Sequence, residues 1–236
     1  MNNFRKALAL LTVALGFGSC APMTSSANTT KAADAPMAMV RVAHLSPNTP
    51  NVDIWVNGKV VDTLKNVPYK TVSGYLKLPV GKYDLAVYAA GSTSNPAIDV
   101  KGLALEAKAY TVAAIGVLGG TGASALKPSV FVDDVSVSTG KARVRVIHAS
   151  PDAPAVDVAV QGGAVIVPNL SYPNATGYLE LNAATYPLEI RPAGQAAAVF
   201  KFSTPALQAG KVYTVFAIGR LGTTGEFTVL PVVDVQ

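Results

Sequence analysis

VRVAHLSPNTPNVDIWVN, residues 40–57, returns as VRVIHASPDAPAVDVAVQ at 144–161, so the chain contains one domain twice. The correspondence continues downstream. Tyr69 answers Tyr172, Gly74-Tyr75 answers Gly177-Tyr178, Tyr83 answers Tyr186, and AYTVAAIGVLG (109–119) answers VYTVFAIGRLG (212–222). A period of about 100 residues is longer than the roughly 20–50 residues of a solenoid or propeller unit, so each copy is a whole domain. Both copies read as short alternating runs of Val, Ile and Tyr, broken by Gly, Pro, Asn and Thr every 8–12 residues or so, which is the pattern of an all-β sandwich or barrel. No stretch carries a helical period.

The first copy predicts strands near 40–45, 52–57, 59–65, 73–78, 82–89, 97–101, 109–118 and 129–135. Asn57-Gly58 between two apolar runs is a hairpin signal, because both central residues of a type I′ turn need positive φ. In the strand around 82–89, Tyr83, Leu85 and Val87 alternate with Asp84, Ala86 and Tyr88, so one face is buried. YTVAAIGVLG and YTVFAIGRLG are nearly continuous apolar runs and read as the central strands. The expected fold is two tandem antiparallel β-sandwich domains, at 40–136 and 142–236. The short connection VSVSTGK (135–141) suggests a semi-fixed pair placed end to end.

The amino terminus has a basic start, MNNFRK, an apolar run, ALALLTVALGFG, and then Ser19-Cys20-Ala21. The run is shorter than the roughly 20 residues of a spanning helix and reads as a secretory signal over 1–20. Gly18, Ser19 and Cys20 resemble the lipobox of bacterial lipoproteins, with Phe17 where Leu is usual, which implies acylation of Cys20 after cleavage. The alternative is ordinary cleavage a few residues later, leaving a periplasmic or secreted soluble protein. Residues 21–39, APMTSSANTTKAADAPMAM, have the composition of a flexible tether. Cys20 is the only cysteine, so no intramolecular disulfide forms and the domains hold together by packing.

Composition excludes several classes. Charged residues make up 14% of the chain, against about 25% in an ordinary soluble domain. The formal charge is +5, and loss of Arg5 and Lys6 with the signal lowers it to +3. There is no Lys/Arg run and the nine Tyr are scattered, so no nucleic-acid partner is expected.

The turn motif invites a metal or catalytic reading through His44, Ser46 and Asp53 in the first copy and His148, Ser150, Asp152 and Asp157 in the second. Period two puts His44 on the face of Val40 and Val42, and His148 on that of Val144 and Val146. A core-facing imidazole ending a strand bonds a turn backbone more often than a ligand. Ser-Pro and Ser-Pro-Asp then supply turn chemistry. In VDIWV and VDVAV the aspartate falls on the face opposite the core. One histidine and one or two carboxylates per copy fall short of a zinc set, and no EF-hand loop is present. The expectation is therefore no metal and no cofactor. GGTGA (119–123) and GTTG (222–225) are followed by strands and read as hairpin turns, not phosphate loops. No G-x-S-x-G occurs, and both histidines sit inside the turn motif, so no enzymatic activity is expected. Trp55 could stack on a sugar, but its counterpart is Ala159, so burial between sheets or domains is its expected place.

His148-Ala149-Ser150-Pro151-Asp152-Ala153-Pro154-Ala155-Val156-Asp157 resembles the HASPDAPxVD signature of the bacterial domain-of-unknown-function family 4397, often found in tandem in exported proteins. The first copy departs from it at Leu45, Asn48 and Thr49. The resemblance implies an immunoglobulin-like or prealbumin-like sandwich outside the cytoplasm, and supplies no activity. The expected function is that of an exported, envelope-anchored, non-catalytic protein with a structural or adhesive role. Its expected partners are envelope polysaccharide or a surface protein, and the membrane only through a lipid anchor. A ligand- or metal-binding module built on the His/Asp turn is the alternative, and a cryptic hydrolase comes third.

Overall fold

The computed structural model describes residues 35–235, so the signal, Cys20 and most of the tether lie outside the described residues. The first copy forms β1 (Met37–His44), β2 (Val52–Val56), β3 (Lys59–Val60), β4 (Thr71–Val72), β5 (Leu76–Pro79), β6 (Gly81–Ala89), β7 (Ile98–Leu105), β8 (Ala109–Ile115) and β9 (Lys127–Asp133). The second forms β10 (Ala142–His148), β11 (Val156–Val160), β12 (Val165–Leu170), β13 (Leu179–Leu181), β14 (Pro187–Pro192), β15 (Phe200–Ser203), β16 (Val212–Ile218) and β17 (Thr228–Val235).

Each copy is a sandwich of two sheets. In the first copy the inner sheet runs β4-β1-β8-β9, with β5 also on β1, and the outer sheet runs β3-β2-β6-β7. The second copy repeats this as β13-β10-β16-β17 and β12-β11-β14-β15. Pairing is antiparallel except between β1 and β8 and between β10 and β16, which run parallel. A parallel partner requires a long crossover, and here the outer sheet supplies it. The Asn57-Gly58 turn has φ of 49° and 74°, as a type I′ hairpin demands.

Two boundaries differ from the sequence reading. β1 begins at Met37, not Val40: Met37 and Ala38 pair with Pro79 and Leu78, and Ala38 is fully buried. The tether expected over 21–39 therefore stops short of these residues, which weak strand formers such as Ala and Met had concealed. The strand expected over 59–65 ends at Val60, and a 3-10 turn at Asp62–Leu64 swings Leu64 into the core beside Val67.

The two copies do not stand end to end; their inner sheets pack face to face. Along β1 and β8, Val40, Val42, Tyr110 and Val112 face their own outer sheet. The alternate residues Ala43, Leu45, Ala113 and Ile115 join Ile147, Ala149, Phe216 and Ile218 in one cluster, every member of which is fully buried. Its five large side chains each contribute about 1.5–3 kcal/mol by leaving water, on the order of 10 kcal/mol for the joint as an upper bound. Both faces of the central strands are thus covered, which explains their unbroken apolar sequence. Leu45 and Ala149 share that cluster, while Arg41 and Arg145 meet at the other end of the strands. Both His-Ser-Pro turns therefore point the same way.

At that other end the interface is charged. Arg41 on β1 donates to Asp234 on β17 (2.6 Å), and Arg145 on β10 donates to Asp133 on β9, so each arginine pairs with the other copy's aspartate. Thr111 accepts from Arg41 Nε (2.8 Å) and donates to Asp133 (2.6 Å); Thr214 accepts from Arg145 Nε (3.0 Å) and donates to Asp234 (2.5 Å). Tyr75 adds a 2.6 Å bond to Asp133. Arg41 and Arg145 are at most 2% exposed. A buried pair stripped of one partner leaves an uncompensated charge, so these crossed bonds fix the alignment of the two sheets.

Candidate functional site

The repeated turn follows β1 and β10. His44 Nε2 lies 3.1 Å from the Pro50 carbonyl and His148 Nε2 3.1 Å from that of Pro154, so in both rings this nitrogen carries the proton. Each ring meets a tyrosine edge-on, Tyr69 at 6.1 Å and Tyr172 at 6.0 Å. His148 Nδ1 accepts from the Ser150 amide at 3.3 Å, while His44 Nδ1 is buried without a partner. Ser46 bonds Thr49 (2.6 Å) and Ser150 reaches Asp152 at 3.4 Å.

The carboxylates serve the backbone. Asp53 accepts from the Asn66 and Gly91 amides (2.7 and 2.9 Å), and Asp157 accepts from Asn169 and Gly194 at the same two distances. Each therefore ties the segment that follows the hairpin turn, a loop in the first copy and the end of β12 in the second, to the turn after β6 or β14. Asp152 accepts from the Leu221 and Gly222 amides (2.7 and 2.9 Å), fastening the turn to the loop after β16. Asn48 does the same in the first copy, accepting from the Leu118 amide and donating to its carbonyl. The Asp-to-Asn exchange is neutral for this purpose because both side chains offer an oxygen to a loop amide. The structure brings the sequence-selected residues together as a loop-holding device. His and Asp of one copy bond different segments and do not converge.

The titration of these groups sets a pH dependence. Burial lowers the His44 and His148 pKa values below 6.5. Backbone amides lower those of Asp53 and Asp157, and Arg143 that of Asp134. In every case the unfolded chain binds protons more readily, so stability is present above the unfolded pKa and lost as pH falls. Thermal melts are expected to show Tm falling between pH 7 and 5 as the histidines come into play, and again below about pH 4 with the carboxylates. A Tm constant from pH 7 to 5 contradicts the buried neutral imidazoles.

The outer faces of the two outer sheets differ chemically. Trp55 lies there, half-buried against Tyr88 (5.2 Å between centroids), and not between sheets or domains as the sequence had suggested. Register places Ala159 where the first copy has Trp55, Glu189 for Ala86, Arg191 for Tyr88 and Lys201 for Asp99. In the second copy Glu189, Arg191 and Lys201 border an open cleft of about 510 Å³. Glu189 is 3% exposed beneath Arg191, whose Nε and Nη2 donate to its Oε1 at 2.7 and 2.5 Å. Arg191 holds the Glu189 carboxyl below its usual range.

Sequence reasoning passed over the crossed Arg-Asp pairs. Their signal was available: VRV and YTV recur in both copies, with a charge or hydroxyl inside an otherwise apolar strand, on the face opposite the valines.

A family profile described as a domain of unknown function (DUF4397) matches residues 38–159 and 142–236. The chain belongs to the DUF4397 family. Its two matches overlap across β10 and β11, the segment that carries the second His-Ser-Pro turn. No curated protein matches the chain. Among solved structures, the Bacillus anthracis TIE protein is similar at 14% identity and a TM-score of 0.25, over 77% of this chain and 34% of that one. The DUF4397 chain thus spans about a third of that protein's length.

Proposed function

We propose that this protein is exported, held at the cell envelope through Cys20, and acts as a rigid non-catalytic module that binds envelope polysaccharide. The observation that carries the reading is the commitment of the repeated motif to its own backbone. Asp53, Asp152 and Asp157 each accept two backbone amides, and both imidazoles bond a proline carbonyl. These bonds aim the carboxylates at loop backbone and the imidazole Nε2–H at a carbonyl, and no three such groups of the described residues converge as a metal set. What remains free to differ between the copies is the outer face, where an aromatic pair in one stands against a charged cleft in the other. Recognition sites sit on rigid scaffolds, and the apolar and charged joint between the inner sheets makes the two copies such a scaffold.

Anchoring and binding are separate tests. Mass spectrometry of the mature protein from membrane fractions is expected to find acylated Cys20 at the amino terminus; a soluble protein beginning later in the tether overturns the anchor. Purified protein is expected to be retained on a column of isolated envelope polysaccharide, and passage without retention overturns the binding role.

A further inference from the structure

We propose that the cleft on the second copy's outer sheet binds an acidic sugar, its carboxylate held by Arg191 and Lys201 and its hydroxyls by Glu189. The inference rests on the polysaccharide reading above and assigns it a place and a chemistry.

The two outer sheets share strand order and register, so a residue of one copy can be set against its counterpart in the other. At the Trp55 position the second copy has Ala159, fully buried beside its cross-strand partner Glu189, so the indole of the first sheet has no counterpart in the second. The hairpin beside it widens as well, from Asn57-Gly58 to a turn containing Gly162 and Gly163, both of which border the cleft, and Ala198 adds a third small residue. The space, about 510 Å³, lies within the roughly 300–1,000 Å³ of small-molecule sites.

The rim changes with the floor. Ala86, Tyr88 and Asp99 give way to Glu189, Arg191 and Lys201, turning a face of aromatic and acidic groups into one with two cations and one carboxylate. Glu189 and the Gly163 carbonyl hold Arg191 on one side, through Nε and Nη2, while its Nη1 bonds nothing among the described residues. The Lys201 ammonium stands 4.0 Å from Glu189 Oε2 on a side chain that is 66% exposed. A carboxylate fits between these donors. Glu189 Oε2, 4.0 Å from the Lys201 ammonium, is placed to accept from a hydroxyl. A neutral sugar leaves the second cation uncompensated, and a bare inorganic anion meets the Glu189 charge and leaves most of the cleft empty. A uronate carries a carboxylate and hydroxyls on one ring and matches both.

Isothermal titration of the purified protein with tetragalacturonate is the test, with maltotetraose and inorganic phosphate as comparisons. The acidic oligosaccharide is expected to bind, with maltotetraose and phosphate each at least about tenfold weaker. Arg191→Gln is expected to weaken tetragalacturonate binding by about tenfold or more, and Ala159→Trp, which forces an indole against its cross-strand partner Glu189, to abolish it. Trp55→Ala leaves it unchanged. Equal binding by the Arg191→Gln and parent proteins, or no binding of tetragalacturonate, overturns the site. Retention on envelope polysaccharide that survives both cleft substitutions also overturns it, while leaving the polysaccharide function standing.

Discussion

Replacing Asp234 with alanine lowers stability by about 3–5 kcal/mol, the range for stripping one partner from a buried ion pair. The guanidinium of Arg41, 2% exposed in its side chain, then loses its only 2.6 Å carboxylate contact, and Thr214 loses the oxygen it donates to. Asp133 does not replace it, since it stands 3.6 Å from Arg41 Nε and is already engaged by Arg145, Thr111 and Tyr75. For a chain of this length each kcal/mol moves Tm by roughly 2–4 °C, so the melt shifts by about 10 °C. Replacing both partners, Arg41→Met with Asp234→Leu, recovers most of the loss because no buried charge is left without its partner. Asp62→Ala, which removes the exposed partner of Lys65, leaves the urea midpoint essentially unchanged, because a solvated ion pair contributes little. Urea unfolding of these variants reads the differences directly, and an Asp234→Ala protein as stable as the parent contradicts the buried pairing.

Gly219→Ala is expected to be nearly as damaging. A Cβ there would sit 2.2 Å from the Glu226 carbonyl oxygen, and its φ of 84° is one that a side-chain-bearing residue adopts only with strain. Gly116 repeats the geometry in the first copy, with φ of 85° and 2.2 Å to the Ala125 carbonyl. Each glycine ends a central strand and lets the returning loop lie against the backbone. The obstacle is main chain on both sides and cannot rotate away, so the substitution costs roughly 3 kcal/mol or more. Gly58→Ala, at a turn with nothing within 4 Å of the added carbon, bears only the backbone strain of a positive φ, about 1 kcal/mol. Comparing the urea midpoints of Gly219→Ala and Gly58→Ala separates the two contributions.

The sandwich fold was legible in the sequence because period-two alternation and turn residues are local signals. Asn57-Gly58 named its own hairpin, and the alternation of Tyr83, Leu85 and Val87 marked the buried face of β6. The mode of association was not legible from the linker, since the length of VSVSTGK constrains distance but not orientation. The decisive information lay in residues more than a hundred positions apart: Arg41 and Ala43 on β1, with Leu45 just beyond its end, form a face complementary to that of β10 and β16. The turn motif was conspicuous because it is repeated, yet its repetition reflects loop fastening needed twice. The charged cleft drew no notice for the opposite reason. Glu189, Arg191 and Lys201 come together only when β14 and β15 pair, and their contrast with Ala86, Tyr88 and Asp99 appears only in register.

The two copies form one body, joined by an apolar cluster and crossed ion pairs. Differential scanning calorimetry of the purified protein tests this most directly. The expected result is a single transition whose calorimetric and van't Hoff enthalpies agree for the whole chain. A calorimetric enthalpy about twice the van't Hoff value, or two resolved transitions, would mean that the copies unfold independently and would contradict it.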